Sequence, residues 1–527
     1  MGVTTLEGRH REQRWSWKAT IGFGLGVGAA SVLTVLRYTA AYLQADGVMQ
    51  ALMSVQHVDL FFWGQDRFFS FVPWLMSPIA HPDLNLAACL TMNAIGFYLL
   101  LLTLSFMSAP LVTGSRKPMA VATLFAMAAL LANLIIQPSF LYVMSLETQP
   151  YSWSYCLALW AFLLWRRGGG WRWALAVVLV GPAVGLNPSS VLLIAALCLA
   201  DAIARHRWGR WFLLGLVWVV WEGVWVALSH TFGKKDSPFA PGYGNAYFSF
   251  SFAQFTDQWL SSLATQCAAI RPGPLTIVAV ASLVMLAFVP WPRLRVLVGV
   301  GSWLLVFCCA FWAVFTANVW VGKSGYHARY FFPLFVTLVM GLAAPTAAAI
   351  AGPRIPALAQ GKQFTHAVIV RLQSACLVGA IALLAVVLGR GPLTRPSRSE
   401  VLVATAAPAS FAADENIVFV AGNYWTGVPV TLQLLRQGRH AAFYVGLKSG
   451  GDPAAYKAAF TEELSKSSAA PRALCVNADL AECIAYLDAW TAPGWVPSAA
   501  QCPLPADSVF LAVATPRCQI VTYAPHR

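Results

Sequence analysis

The sequence predicts a polytopic α-helical membrane protein with about eleven transmembrane helices, its N-terminus inside and its C-terminus outside, ending in a small extracytoplasmic α/β domain. Three observations carry this. Of 527 residues, 58% are hydrophobic and only 11% charged, against roughly 25% charged in soluble domains, and the mean hydropathy is +0.63. The apolar residues gather into runs close to the roughly 20 that a spanning helix needs. The net charge of +14 is uneven: residues 1–390 hold 25 Lys+Arg against 11 Asp+Glu, whereas residues 391–527 hold 10 of each. The basic excess therefore lies among the apolar runs, where it marks a cytoplasmic face, and does not point to a nucleic-acid partner.

The expected spans lie near 17–42, 85–111, 118–138, 150–165, 172–187, 189–204, 211–230, 275–291, 296–320, 330–351 and 372–389. The fifth and sixth are short and share the break Gly185-Leu186-Asn187-Pro188. Arg9, Arg11, Arg14 and Lys18 lead into the first span with no small-residue cleavage site after it, so a retained first helix is expected rather than a signal peptide. With the N-terminus inside, the inner segments carry 17 Lys/Arg, while Asp46, Asp59, Asp66, Asp83, Glu147, Asp236 and Asp257 all fall outside. That bias orients the chain. The chain is expected in a bacterial inner membrane.

The outer loops are unequal: 43–84 and 231–274 are long, 139–149 and 321–329 short. In the first, Leu60, Phe61, Phe62, Trp63, Phe68, Phe69 and Trp74 predict helices lying in the membrane interface. From residue 391 the second domain is expected. Ile417–Ala421, Ala441–Val445 and Arg472–Val476 read as strands, with helices over Tyr424–Gln437, Asp452–Lys466 and Ala478–Trp490, and a closing hairpin of 509–514 with 518–523. Such alternation is that of a small layered α/β domain. It carries no glycine-rich nucleotide motif.

Seven of the eleven cysteines lie in or beside the apolar part, where a thiol is an ordinary small hydrophobe. Cys475, Cys483, Cys502 and Cys518 share the soluble tail, and an even number there suggests disulfides in an oxidising compartment. Three connectivities exist; Cys475–Cys483 with Cys502–Cys518 is favoured because each closes a short loop.

The chemistry-bearing segment of the first loop runs from Gln56 to Arg67 and sets Asp59, Gln65, Asp66 and Arg67 among aromatics. Charges beside hydrocarbon are costly and usually functional; the bland alternative is a solvated pair capping an interfacial helix. Lys323-Ser324-Gly325-Tyr326-His327-Ala328-Arg329-Tyr330 opens the tenth span as a compact basic cluster, which could equally be an interfacial anchor. Glu147 and Gln149 stand in the second outer loop, and Glu222 lies deep in a span. Tyr424 and Trp425, after the first strand of the tail, could stack on sugar rings or simply pack. No His or acidic grouping with metal-ligand spacing stands in an outer loop.

An aromatic first outer loop with an acidic residue soon after the first span resembles the GT-C superfamily, integral-membrane glycosyltransferases that use polyprenyl-phosphate-linked sugars. The resemblance covers the architecture of most of residues 1–390. It departs from the family in that no adjacent acidic pair stands in this loop: Asp59 and Asp66 are seven apart. It implies an inverting displacement at the anomeric carbon with the lipid phosphate as leaving group. Asp66 is then the first choice of base, Asp59 the second and Asp46, which also reads as a turn or helix cap, the third. Arg67, Lys323, His327, Arg329 and Tyr330 would bind the donor phosphate, Arg329-Tyr330 resembling an Arg-Tyr pair of the family. Gln65, Glu147 and Gln149 would bind acceptor or sugar. No cofactor or metal is expected, and the partners are the membrane lipid-linked sugar and an extracytoplasmic glycan, lipid or protein acceptor. Rival readings are a transporter or flippase of lipid-linked saccharide and a non-catalytic membrane subunit.

Overall fold

A computed structural model describes residues 17–62, 69–113, 118–147, 151–206, 208–232, 249–289, 291–351, 362–390, 393–414, 417–422, 424–438, 443–446, 462, 471–476, 479–490, 493–501 and 518–524. The apolar part is a helical bundle. Its first half comprises α1 (Trp17–Tyr42), α2 (Ala45–Gln56), α3 (Phe71–Met76), α4 (Pro82–Thr113), α5 (Pro118–Ile135), α6 (Pro138–Leu146), α7 (Tyr151–Arg167) and α8 (Gly170–Leu186). The second half continues with α9 (Ser190–Arg205), α10 (Trp208–Phe232), α11 (Phe252–Ala268), α12 (Pro272–Leu286), α13 (Trp291–Ala317), α14 (Val319–Lys323), α15 (Phe332–Ala351) and α16 (Lys362–Gly389). Six of these segments are long and apolar enough to cross a membrane among the described residues, within α1, α4, α5, α10, α13 and the stretch 328–349. Helices stand at the other five expected positions too, but α8, α12 and the apolar end of α16 are shorter.

Lipid tails are as apolar as leucine, so helices in a bilayer associate through close packing and interhelical hydrogen bonds. Here one device recurs three times: a tryptophan lies flat on a glycine and donates its indole N–H to the carbonyl four residues before that glycine. Trp153 donates to Met92 O at 2.9 Å over Gly96, where a Cβ would stand 2.6 Å from the indole nitrogen. Trp221 donates to Val177 O at 2.8 Å over Gly181, and Trp225 to Gly181 O at 2.7 Å over Gly185; a Cβ on either glycine would overlap the indole. The glycine lets the ring approach, and the ring's only polar atom is satisfied by backbone. Deeper in the first half, Tyr98 Oη lies 2.7 Å from Thr34 Oγ1 and accepts from Asn133 at 3.2 Å, while Tyr38 donates to Asn133 Oδ1 at 3.0 Å. One buried polar network thus ties α1, α4 and α5.

The main helix of the first long loop, α2, is enclosed by protein: Ala45 and Gly47 through Ser54 are all buried, packed between α4 and the helix Tyr424–Arg436 of the C-terminal part. The apolar residues of α2 share one broad face, and Gln50 and Ser54 on the other face are buried as well, so this amphipathic helix is covered on both sides. Phe61 packs edge-on against Trp225, and Phe69 N–H is bonded to Gly185 O at 2.8 Å.

The C-terminal part holds α17 (Glu400–Ala404), α18 (Ala406–Asp414), β1 (Ile417–Gly422), α19 (Tyr424–Arg436), β2 (Phe443–Gly446), β3 (Arg472–Val476), α20 (Leu480–Trp490), β4 (Trp495–Gln501) and β5 (Cys518–Tyr523). The sheet order is β2-β1-β3-β5-β4, with β2, β1 and β3 parallel and β5 antiparallel to both β3 and β4. The hairpin partner of β5 is therefore 495–501; the expected strand at 509–514 lies outside the described residues, as does nearly all of the expected helix 452–466. Cys475 and Cys483 form a disulfide joining β3 to α20. Cys518 opens β5, and Cys502 lies outside the described residues.

Two contacts seat this domain on the end of the bundle that carries the C-terminus of α1. Thr394 N–H bonds Leu36 O at 2.8 Å, and Arg436, at the end of α19, pairs with Asp83 at 2.7 Å at the start of α4.

Gly185→Ala should displace the Trp225 ring and break its hydrogen bond, lowering stability by about 1–3 kcal/mol, the usual cost of overpacking. Thermal melting in detergent checks this. Trp225→Phe in the Gly185→Ala background should recover part of the loss, since the smaller ring leaves room for the methyl group.

Candidate functional site

The bundle end beneath the C-terminal domain gathers charges from three segments distant in sequence. Asp46 stands in the first turn of α2, where the helix dipole favours a carboxylate. Gly47 beside it lets α2 press on α6: a Cβ there would stand 2.8 Å from Tyr142 Oη and 3.3 Å from Leu90. Arg329 comes from a single 3-10 turn, Ala328–Phe331, and its Nη1 lies 3.4 Å from Asp46 Oδ2. The other carboxylate oxygen, Oδ1, accepts a 2.6 Å hydrogen bond from Tyr424 Oη at the start of α19. That short distance is typical of a hydroxyl donating to an ionised carboxylate.

The loop that delivers Arg329 is held from several sides. Asn318 caps α14, its side chain accepting from Val321 N–H at 3.0 Å. Gln254 donates to Thr316 O and Asn318 O, and Gln266 to Tyr326 O at 2.7 Å, so α11 clamps both ends of the loop. The chain then reverses through two residues in the left-handed region, Gly325 (φ 65°) and Tyr326 (φ 55°). Tyr330, buried beside Arg329, accepts from the guanidinium at 3.1 Å and from Trp320 Nε1 at 3.2 Å, and donates to Ser324 Oγ at 3.3 Å. Arg329 Nε is buried with no hydrogen-bond acceptor among the described residues, so this cation keeps one donor unspent.

Glu147, at the C-terminal end of α6, is the third charged group and only 6% exposed. Burial first, and the Asp46 carboxylate second, raise its carboxyl from an ordinary 4.5 to about 8, with Arg329 opposing the rise. Its backbone is held by Asn93, which donates to Leu146 O at 3.0 Å and Glu147 O at 3.4 Å and also to Gln50 Oε1 of α2 at 3.0 Å. Gln50 Nε2 and Asn93 Oδ1 are both buried without a partner among the described residues.

Of the residues singled out in the sequence, Arg329, Tyr330 and Glu147 come together, and they do so around Asp46, the third choice of base. Asp59 is elsewhere: it follows the far end of α2, about 15 Å of helix from Asp46, and its Oδ1 accepts from its neighbour Leu60 N–H at 2.9 Å. His327 contributes no positive charge. Burial and the adjacent Arg329 push it down to about 4, and its Nδ1 accepts from Arg329 N–H at 3.4 Å as the cap of the 3-10 turn. Lys323 is exposed at the end of α14. Gln65, Asp66, Arg67 and Gln149 lie outside the described residues. No group of His, Cys, Asp or Glu that could hold a metal ion occurs among the described residues. Gln50 and Asn93 were not singled out from the sequence. The signal for α2 was present, however: Val48, Met49, Ala51, Leu52, Met53 and Val55 follow Asp46 as a run too apolar for a solvated loop.

No family model and no curated protein matches the sequence. Among solved structures, the chain is similar to the crystal structure of ArnT from Cupriavidus metallidurans bound to undecaprenyl phosphate, at 13% identity and a TM-score of 0.46, over 96% of this chain and 98% of that one. It is also similar to the cryo-EM structure of the arabinosyltransferase EmbB from Mycobacterium smegmatis, at 14% identity and a TM-score of 0.33. That likeness covers 95% of this chain and 47% of the other, so the chain spans about half the length of EmbB.

Because Glu147 binds its proton more tightly in the folded than in the unfolded protein, stability is greatest at low pH. It falls as the pH rises from about 4.5 to about 8 and is level above that. Melting curves across this range should show the slope in the native protein, and Glu147→Gln, which is neutral throughout, should flatten it.

Proposed function

We propose that this chain is a GT-C-like membrane glycosyltransferase that moves a sugar from a polyprenyl-phosphate donor to an extracytoplasmic glycan, lipid or protein acceptor. The observation that carries the reading is the half-buried pairing of Asp46 with Arg329 beside a second, buried carboxyl, Glu147, at the end of the bundle beneath the C-terminal domain. A carboxylate near neutral pH can serve as a general base. A guanidinium with a spare donor is suited to an anionic leaving group, and at a membrane face the anion within reach is a lipid phosphate.

Asp46 takes the proton of the acceptor hydroxyl as its oxygen attacks the anomeric carbon. The bond from that carbon to the phosphate oxygen breaks, and the lipid phosphate departs with the electron pair. Arg329, oriented by Tyr330, takes up the charge that develops on the phosphate. Glu147, protonated near neutral pH, removes one negative charge from the path of an anionic donor and donates a hydrogen bond to it. Because no bond forms between sugar and protein, a single displacement inverts the anomeric carbon.

Membrane sidedness follows from the basic bias of the inner segments. It puts the end of α1 that meets the C-terminal domain outside the cytoplasm, and the Cys475–Cys483 disulfide suits an oxidising compartment.

The test uses protein in lipid nanodiscs with a native extract of polyprenyl-phosphate sugars and cell-envelope acceptors, following release of free polyprenyl phosphate. Asp46→Asn should lower turnover by about 10²-fold or more, the usual contribution of a general base, and Arg329→Gln by about 10²-fold. Asp59→Asn should stay within about twofold of the native rate, as a substitution away from the reacting groups. Loss of turnover in Asp66→Asn with Asp46→Asn still active would move the base to the 63–68 segment and overturn the assignment.

A further inference from the structure

The C-terminal domain does more than cover the site: one of its side chains is bonded to the carboxylate proposed as base. Strand β1 ends at Gly422, whose φ of 139° lies where an L side chain is strained, and a Cβ there would collide with the Val476 carbonyl of β3. The chain turns sharply at that point and starts α19 directly over α2. The first residue of the helix, Tyr424, is braced edge-on by Trp425 at 5.3 Å and donates its phenol proton to Asp46 Oδ1 at 2.6 Å. The last residue, Arg436, forms an ion pair with Asp83 at 2.7 Å. Between these ends, residues Thr426 to Leu435 are buried, so α19 moves only with the domain that carries it.

Asp46 consequently has a protein donor on each oxygen, Arg329 on one and Tyr424 on the other. The Arg329 contact is a charge pair that an anionic donor would share. The Tyr424 contact is a neutral hydroxyl donating to a carboxylate, the same interaction an acceptor hydroxyl must make before it gives up its proton. Exchanging one such hydrogen bond for another costs little, whereas leaving the carboxylate open would admit water to an activated sugar.

We propose that Tyr424 holds the acceptor's place: its phenol occupies Asp46 until an acceptor hydroxyl displaces it, and α19, fastened at Asp46 and Asp83, is the gate that opens when this happens. The proposal rests on Asp46 being the base of the transfer. It identifies the acceptor's first contact as a hydroxyl exchanged for a phenol, and it assigns the C-terminal domain the task of suppressing hydrolysis of the donor.

The test compares the native protein with Tyr424→Phe and Arg436→Glu in nanodiscs with the same lipid extract, with and without acceptors, counting two products: glycosylated acceptor and free sugar. In Tyr424→Phe, free sugar formed without acceptor should rise by about tenfold or more, the factor set by one hydrogen bond to a charged group, and with acceptor present the ratio of free sugar to glycosylated product should rise with it. Arg436→Glu, which opposes Asp83 and touches none of the reacting groups, should raise free sugar in the same direction. Unchanged free sugar in both variants, or free sugar and transfer falling together in Tyr424→Phe, would overturn the gate; a purely structural tyrosine would produce the latter. If the native protein forms neither product, the transferase reading fails, and hydrogen exchange without substrate then decides the gate. Peptides spanning 424–436 should exchange about tenfold faster in Tyr424→Phe if the phenol is the latch, and an unchanged rate would overturn it.

Discussion

The constraint on which this end of the bundle depends is the half-buried pairing of Asp46 with Arg329. An ion pair drawn partly out of water recovers its desolvation cost only when the geometry is held and the remaining hydrogen-bonding capacity is used. Much of the local architecture serves those two conditions. Gly47 lets α2 sit against Tyr142 and Leu90, which fixes where Asp46 stands. The clamps from Gln254 and Gln266 and the left-handed turn at Gly325 and Tyr326 deliver Arg329 from a helix end more than 280 residues away in sequence. Tyr424 fills the remaining carboxylate oxygen, so the C-terminal domain completes a site that the bundle alone leaves open.

That precision needs a stiff frame, and a bilayer supplies no hydrophobic drive to bring helices together. Glycine–tryptophan contacts on α4 and α8 and the network of Tyr98, Thr34, Asn133 and Tyr38 supply it through close approach and satisfied polar atoms. The long first loop is divided between the two halves of this frame. Its α2 belongs to the core shared with the C-terminal domain, and its 69–76 end packs with α7–α10. Movement of the C-terminal domain would therefore act on α2 and Asp46 before it reached α7–α10.

The accumulation of negative charge adds to burial in making Glu147 hold its proton more tightly than an ordinary carboxyl. Two carboxylates near one cation cannot both ionise cheaply away from water. Glu147, buried at a helix C-terminal end where the dipole is unfavourable to an anion, keeps its proton, whereas Asp46 at a helix N-terminal end is the one that Arg329 and Tyr424 hold. Position on the helix thus sorts the two acids into different roles.

The sequence by itself determined the helical membrane class, the positions of the apolar helices and the strand–helix alternation of the C-terminal domain, because apolar runs and such alternation are local patterns. Arg329-Tyr330 and Glu147 were legible for the same reason: a charge at the edge of an apolar run stands out. The choice among first-loop carboxylates was not legible. Asp46, Asp59 and Asp66 are alike in composition and context, and Asp46-Gly47 reads locally as a turn. What separates Asp46 from Asp59 is the partner each meets, and Arg329 and Tyr424 reach Asp46 across 283 and 378 residues. Only the tertiary structure decided this, since the electrostatic energy of a carboxylate depends on which charges and dipoles stand within a few ångströms of it, whatever their place in the chain.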